Sequence, residues 1–347
     1  MKRKNIVLLI IAAIFLLAAC APKGPLALNI LTHDSFDASE PVIKEFEKSN
    51  NVKLNFIKSG DAGSILNQAI LTKSAPIADV LYGVDNTFLS RALEAGIYES
   101  YTSPQLADIP DAFKLDKDLR ALPVDYGDVC INYDKAYFAS HNLPIPQTLD
   151  DLLKPEYKGL LVMENPATSS PGLAFLIATI ANYGLDGYIS YWQKMKANGV
   201  IVVNNWETAY YTNFSGSTGK GLQPMVVSYG TSPAAEVVFA ETPLKEAPTA
   251  SVTGPNTCFR QIEFVGILKG TKQRALAEKF IDFMLSVKFQ EDMPLNMFVF
   301  PANSKAKIPD AFHQFVQIPE KPASLAPEVI STNRDAWIEQ WRKTVLE

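Results

Sequence analysis

An α/β fold, a mostly parallel sheet flanked by helices, is what this chain's pattern predicts. Short apolar runs alternate with stretches of helical spacing, the connections between runs are too long for hairpins, and the turns after the runs are polar. Composition agrees: 47% of the 347 residues are hydrophobic and 20% charged, as in a globular chain with well-filled cores and length for two domains. The net charge of −5 argues against nucleic acid as a partner.

The first element is a targeting segment. Lys2, Arg3 and Lys4 precede an unbroken apolar run over 6–19, which ends in Leu17-Ala18-Ala19-Cys20. A positive head, a short apolar core and small residues before a cleavage point describe a secretory signal over residues 1–19. The run is shorter than the roughly 20 apolar residues that a membrane span needs. Leu-Ala-Ala-Cys resembles the lipobox of bacterial lipoproteins, which implies cleavage before Cys20, acylation of its thiol and tethering outside the cytoplasm by lipid. Residues 20–25 then form the lipidated cysteine and a linker. No later run approaches membrane-spanning length, so the expected membrane contact is the anchor alone. Two cysteines remain, Cys130 and Cys258, either paired in an oxidising compartment or buried as free thiols. Neither sits in a Cys-x-x-Cys or Cys/His cluster, so metal ligation is not expected of them.

From there the elements follow in order. Residues 26–31 read as a strand, 41–48 as a helix, 52–57 as a strand, and 59–64 as a turn before a helix over 65–73. A strand over 78–82, a turn at Gly83-Val84-Asp85-Asn86 and a helix over 87–95 follow. Residues 122–133 read as a strand crossing between halves. The second half repeats the logic, with strands over 160–163, 200–203 and 225–228, and 259–268 reads as a strand returning to the first half. Ser170 suits an N-cap, with Pro171 in the first turn of an apolar helix running to about Tyr183. Residues 274–285 and 327–345 complete the helices, the last bearing Trp337 and Trp341.

In parallel sheets ligands sit beyond the carboxyl ends of the strands. The turns there hold His33, Asp34, Asp61, Asp85 and Asn86 in the first half. In the second half Thr168-Ser169-Ser170 and Thr231-Ser232 open helices, where hydroxyls and free N–H groups either bind an anion or simply cap. Trp206, Tyr210, Tyr211 and Tyr229 follow strand ends in the same half. With the carboxylates opposite, these rings suit a flat cation. Catalysis finds little support: there are three histidines, His33, His141 and His313, and no Gly-x-Ser-x-Gly elbow. A phosphate loop is not formed by 216–221, because Phe214 stands where its first glycine belongs.

These residues resemble the thiamine-binding proteins of bacterial ABC importers, within the type II periplasmic solute-binding fold. The likeness rests on Thr32-His33-Asp34-Ser35-Phe36, Pro123-Val124-Asp125-Tyr126-Gly127, Asn165 to Leu173, Trp206-Glu207-Thr208-Ala209-Tyr210, Val227 to Pro233 and the tryptophan-bearing end. It implies two lobes, 26–122 plus 260–298 and 123–259 plus 299–347, closing over a ligand. It also implies no enzymatic activity, no cofactor, and a monomer that hands thiamine or its phosphate to a membrane permease with its ATPase. By carry-over, Asp34 and Asp61 hold the ligand from the first lobe and Trp206, Tyr229 and Ser232 from the second, while the Thr168-Ser169-Ser170 loop takes the hydroxyethyl or phosphate end. The chain departs from the family's aromatic cage at His33, at the shorter Asp37-Ala38-Ser39-Glu40, which lacks a tryptophan, at Ala235 and at Phe298. Each lost ring removes of order 1 kcal/mol of cation–π attraction. The competing expectations are another organic cation such as a polyamine, or ferric ion on Tyr210-Tyr211, and in a different class a lipid-anchored hydrolase.

Overall fold

The computed structural model describes residues 26–218 and 220–347. The predicted signal 1–19, Cys20 and most of the linker lie outside them.

Eleven strands form one sheet: β1 (Leu26–Thr32), β2 (Val52–Lys58), β3 (Val80–Asp85), β4 (Tyr98–Glu99), β5 (Leu122–Asp134), β6 (Leu161–Glu164), β7 (Ile201–Val203), β8 (Met225–Tyr229), β9 (Thr249–Val252), β10 (Phe259–Leu268) and β11 (Phe300–Pro301). The main order is β2-β1-β3-β10-β5-β8-β6-β7. Two parallel triplets, β2-β1-β3 and β7-β6-β8, thus share one internal order, with the earliest strand in the middle. Between them run β10 and β5, antiparallel to each other and to their outer neighbours. β4, β9 and β11 are short additions to these two. Parallelism within a triplet follows from its helical crossovers, which return the chain to the starting edge.

The helices bury the faces that their spacing marks out. In Glu40–Asn50, Pro41 opens the first turn, Val42 and Phe46 face inward one turn apart, and Asn51 ends the helix in the left-handed region at φ 49°. Three predicted boundaries move. The helix read over 65–73 starts at Ala62 and runs to Leu71, so Asp61 immediately precedes it. The turn read at Gly83-Val84-Asp85 belongs to β3, because β10 pairs Phe264 with Val84 and Glu263 with Asp85. The cap of the long apolar helix is extended Ser169, not Ser170; the helix runs over Ser170–Ala197 and bends at Gly184, whose φ of 68° and ψ of 178° are not helical.

One core gathers β1, β3 and β10 under the helices Arg274–Met284 and Val287–Asn296. Another lies under Ser170–Ala197 and the final helix Pro327–Val345, where the Trp192 and Trp341 rings meet edge-on at 5.6 Å. The final helix also reaches the first half. Arg334 lies over the Phe88 ring at 5.9 Å and donates to Ser90 Oγ at 3.1 Å. Cys130 of β5 and Cys258, just before β10, are joined by a disulfide. It closes a sequence separation of 128 residues, which removes much freedom from the unfolded chain. Replacing both cysteines with serine is expected to cost about 2–5 kcal/mol of stability in chemical denaturation, a loss that reductant reproduces in the wild type.

Candidate functional site

The loops at the carboxyl ends of both triplets line a cleft of about 810 Å³. That is room for a ligand of vitamin or drug size. His33 and Asp34 follow β1, Trp206 follows β7, and Tyr229 and Ser232 end β8 and open its helix. Phe298 lines the far wall in the left-handed region at φ 54°, held there as Thr231 Oγ1 donates to its carbonyl. Tyr210 enters from an irregular helical turn over Thr208–Asn213.

The aromatic wall is built tightly. Trp206 stacks on Tyr210 at 5.0 Å and 18°, and its Nε1–H donates to Ser228 Oγ at 2.9 Å. Ser228 Oγ in turn lies 2.9 Å from Ser232 Oγ. Tyr210 donates its hydroxyl to Glu236 Oε1 at 2.6 Å. Burial pushes the Glu236 carboxyl up to about 7, against that hydrogen bond. Tyr211 is 54% exposed and meets Tyr210 edge-on, so the pair weighed as iron ligands presents one ring stacked on Trp206 and its hydroxyl already engaged. Among the described residues no group of three His, Cys, Asp or Glu side chains is placed to hold a metal ion.

Beneath the cleft lies a buried network. His33 Nε2 sits 3.7 Å from Glu263 Oε1, and His33 Nδ1 lies 3.1 Å from Ser35 Oγ. Burial works against a charge on His33, but Glu263 outweighs it and holds the imidazole above its usual value. Glu263, which burial alone would raise, is held low by His33 and Tyr82. The Tyr82 hydroxyl is 2.6 Å from Asp125 Oδ2 and 3.0 Å from Glu263 Oε2. One hydroxyl carries one hydrogen, so both contacts are met when Asp125 itself is protonated; burial and the charge of Glu263 push Asp125 well up, as this requires. Backbone shape admits the network: His33 Cδ2 stands 2.3 Å from where a Cβ on Gly83 would be, and Gly83 has φ 99°.

Other residues singled out in the sequence connect the two halves without lining the large cleft. Asp61 accepts from the Trp206 N–H at 3.1 Å and, with Ser170, lines a small pocket of about 30 Å³ below it. Burial pushes the Asp61 carboxyl up. Asp85 is fully buried: Oδ1 accepts the Thr87 N–H at 2.5 Å, and the other oxygen accepts the Ser170 hydroxyl. Burial raises Asp85 to about 7. Thr168 Oγ1 donates to the Asn204 carbonyl at 2.7 Å, Ser169 and Thr231 are buried, and Asn86 pairs with Ile262 and Arg260 of β10. Three of the loop hydroxyls read as free ligand donors, those of Thr168, Ser170 and Thr231, are therefore engaged within the protein, and the Ser170 hydroxyl ties one triplet's loops to the other's. Sequence reasoning missed Glu263, Glu236 and Phe239. Glu263 was visible as a charge inside the apolar run 259–268, and Glu236 as one turn beyond Ser232; Phe239, edge-on to Phe298 at 5.1 Å, carried no signal.

Residues 75–315 match the family described as bacterial extracellular solute-binding protein. The chain belongs to that family. The thiamine-binding periplasmic protein of Salmonella typhimurium is 30% identical over 96% of this chain and 97% of its own length. That of Brucella abortus is 33% identical over 90% of each chain. A solved periplasmic thiamin binding protein superposes with a TM-score of 0.80 at 29% identity, covering 92% of this chain and 96% of that one. A ferric binding protein from Campylobacter jejuni, at 21% identity and a TM-score of 0.74, shares the fold. This solute-binding protein thus has the type II periplasmic-binding-protein architecture, a mixed sheet flanked by helices. Its family works outside the cytoplasm, on small-molecule ligands and with ABC transporters.

Asp85 gives a pH test. Its folded value of about 7 lies above the ordinary ~3.9, so between these the folded chain holds the extra proton. Its contribution to stability is complete below about pH 4 and is lost as pH rises to about 7, with a slope of up to about 1.4 kcal/mol per pH unit. Asp85→Asn is expected to flatten the stability–pH curve across that window, and denaturation midpoints from pH 4 to 8 check it.

Proposed function

We propose that this protein captures thiamine in the cleft and delivers it to an ABC permease while tethered to the membrane through acylated Cys20. The observation that carries the reading is the wall of Trp206, Tyr210 and Tyr229 in one cleft with the carboxylates of Asp34, Glu207 and Glu236. A thiazolium is a delocalised cation, and ring faces attract it, the more so when desolvated. An aminopyrimidine N–H donor is met by a carboxylate. The names of relatives aligned over nearly the whole chain support the same ligand. No acid–base pair for turnover is needed, since the work is binding and release.

In this reading 26–122 with 260–298 and 123–259 with 299–347 act as two lobes, and β5 and β10 are the hinge. Asp34 stands at the ligand from one lobe, with its Oδ1 accepting the Gly60 N–H at 2.9 Å. Trp206, Tyr210, Tyr229 and Ser232 stand at it from the other, with Phe298 closing the wall. Asp61, Asp85 and the Thr168-Ser169-Ser170 loop act one layer back, by holding Trp206 and the two sets of loops in register.

The test is calorimetric titration of the purified protein, refolded to remove co-purifying ligand. One-to-one binding of thiamine is expected, and Trp206→Ala should weaken it about tenfold or more through the lost ring face while leaving the circular dichroism spectrum unchanged. Absence of any heat with thiamine would sink the reading.

A further inference from the structure

The end of the first triplet opposite the cleft carries a patch of its own. β1, β2 and β3 run parallel with their carboxyl ends at the cleft, so their amino ends share the far face. There Leu26 begins β1, the link over 72–79 leads into β3, and antiparallel β10 ends at Leu268 and turns through 269–272. These segments are fastened together. Asp79 Oδ2 accepts the Asn29 N–H at 2.9 Å, its Oδ1 accepts the Thr271 hydroxyl at 2.5 Å, and the Lys269 N–H donates to the Ile97 carbonyl at 2.8 Å. A Cβ on Gly270 would stand 3.5 Å from the Pro76 ring, so the two links touch.

The surface they present is apolar and basic. Leu71 is 83% exposed, Leu26 53% and Ile77 37%, and Lys73, Lys269 and Lys272 are exposed on the same links. The acids at this end are engaged. Asp79 is buried, Glu47 pairs with Lys53 at 2.9 Å, Glu99 and Glu278 pair with Arg274, and Glu94 takes the Ser331 hydroxyl at 3.0 Å. Exposed aliphatic side chains beside lysines suit the boundary between the headgroups and the acyl chains of an anionic bilayer.

The tether decides the occupant. Residues 21–25 separate Cys20 from Leu26, and a chain of that length reaches about 20 Å when fully extended. An acylated Cys20 therefore keeps this face within that distance of the bilayer. We propose that the face formed by Leu26, Leu71, Ile77, Lys73, Lys269 and Lys272 rests on anionic lipid headgroups, which points the cleft away from the membrane during capture. This rests on the acylation of Cys20 in the reading above. Transfer to a permease then begins with release of this face.

The test uses the full chain, recovered from the membranes of expressing cells and reconstituted in phosphatidylethanolamine vesicles with or without phosphatidylglycerol. A fluorophore on Ser74→Cys, in the patch, or on Thr242→Cys, beside Glu241 of the cleft, reports contact with nitroxide-bearing lipid; both positions are exposed. With phosphatidylglycerol present, strong quenching is expected at position 74 and little at position 242. Each lysine at an anionic surface is worth about fivefold in the docked population. The combined variant Lys73→Gln, Lys269→Gln, Lys272→Gln should therefore cut the quenching at position 74 severalfold, as should omission of phosphatidylglycerol or high salt. Equal quenching at the two positions, or quenching at position 74 that ignores the lysines and the lipid charge, overturns the surface and leaves the anchor standing. Absence of acyl chains on Cys20 by mass spectrometry removes the anchor, and the surface with it.

Discussion

β5 and β10 pair antiparallel from Leu122 opposite Val265 to Val129 opposite Phe259, and every other strand is ordered outward from that pair. Arg260 and Asp128, opposite each other in this register, form a two-pronged ion pair at 2.8 and 3.0 Å, and the Arg260 guanidinium also lies over the Tyr126 ring. The disulfide closes the end of the same ladder. Because β3 flanks one side and β8 the other, the two triplets are joined within the sheet through this central pair. The loops after β1, β2, β3, β6, β7 and β8 then converge, which is why residues distant in the chain, such as Asp61 with Trp206 or Asp85 with Ser170, come into contact.

Five carboxyl groups, Asp61, Asp85, Asp125, Glu164 and Glu263, are buried in these strands and loops, and Glu263 and Asp61 act on the His33 imidazole. Removing a carboxylate from water favours its neutral form unless a partner compensates. Four of the five are raised by burial. Glu263 alone is held below its ordinary value, because it has both His33 and the Tyr82 hydroxyl. In the proposed reading, ring faces supply the attraction to a cation where it is most desolvated.

Much of this was legible in the chain. Alternation of apolar runs with helical spacing identified β1, β2, β5, β6, β7, β8 and β10 within a residue or two, since period and polarity are local properties. The polar turns after those strands named His33, Asp34, Trp206, Tyr229 and Ser232, all of which line the cleft. Boundaries slipped where tertiary pairing overrode local preference: Gly83 signals a turn, yet β10 keeps it in a strand whose positive φ makes space for His33. Whether Thr168, Ser169, Ser170 and Thr231 face a ligand or their own protein was equally out of reach. A hydroxyl at a helix start has the same sequence signature in both cases, and the partner that decides it, Asn204, Asp85 or Phe298, lies far along the chain.

By itself, then, the sequence determined the element types, the family pattern and the residue types offered at the strand ends, because residue type and spacing act over a few positions. The tertiary structure alone decided the bond between Cys130 and Cys258, the one carboxyl among five that is held low, and which of the candidate residues line the cleft. Each of those depends on distances and desolvation between segments that folding brings together from more than a hundred residues apart.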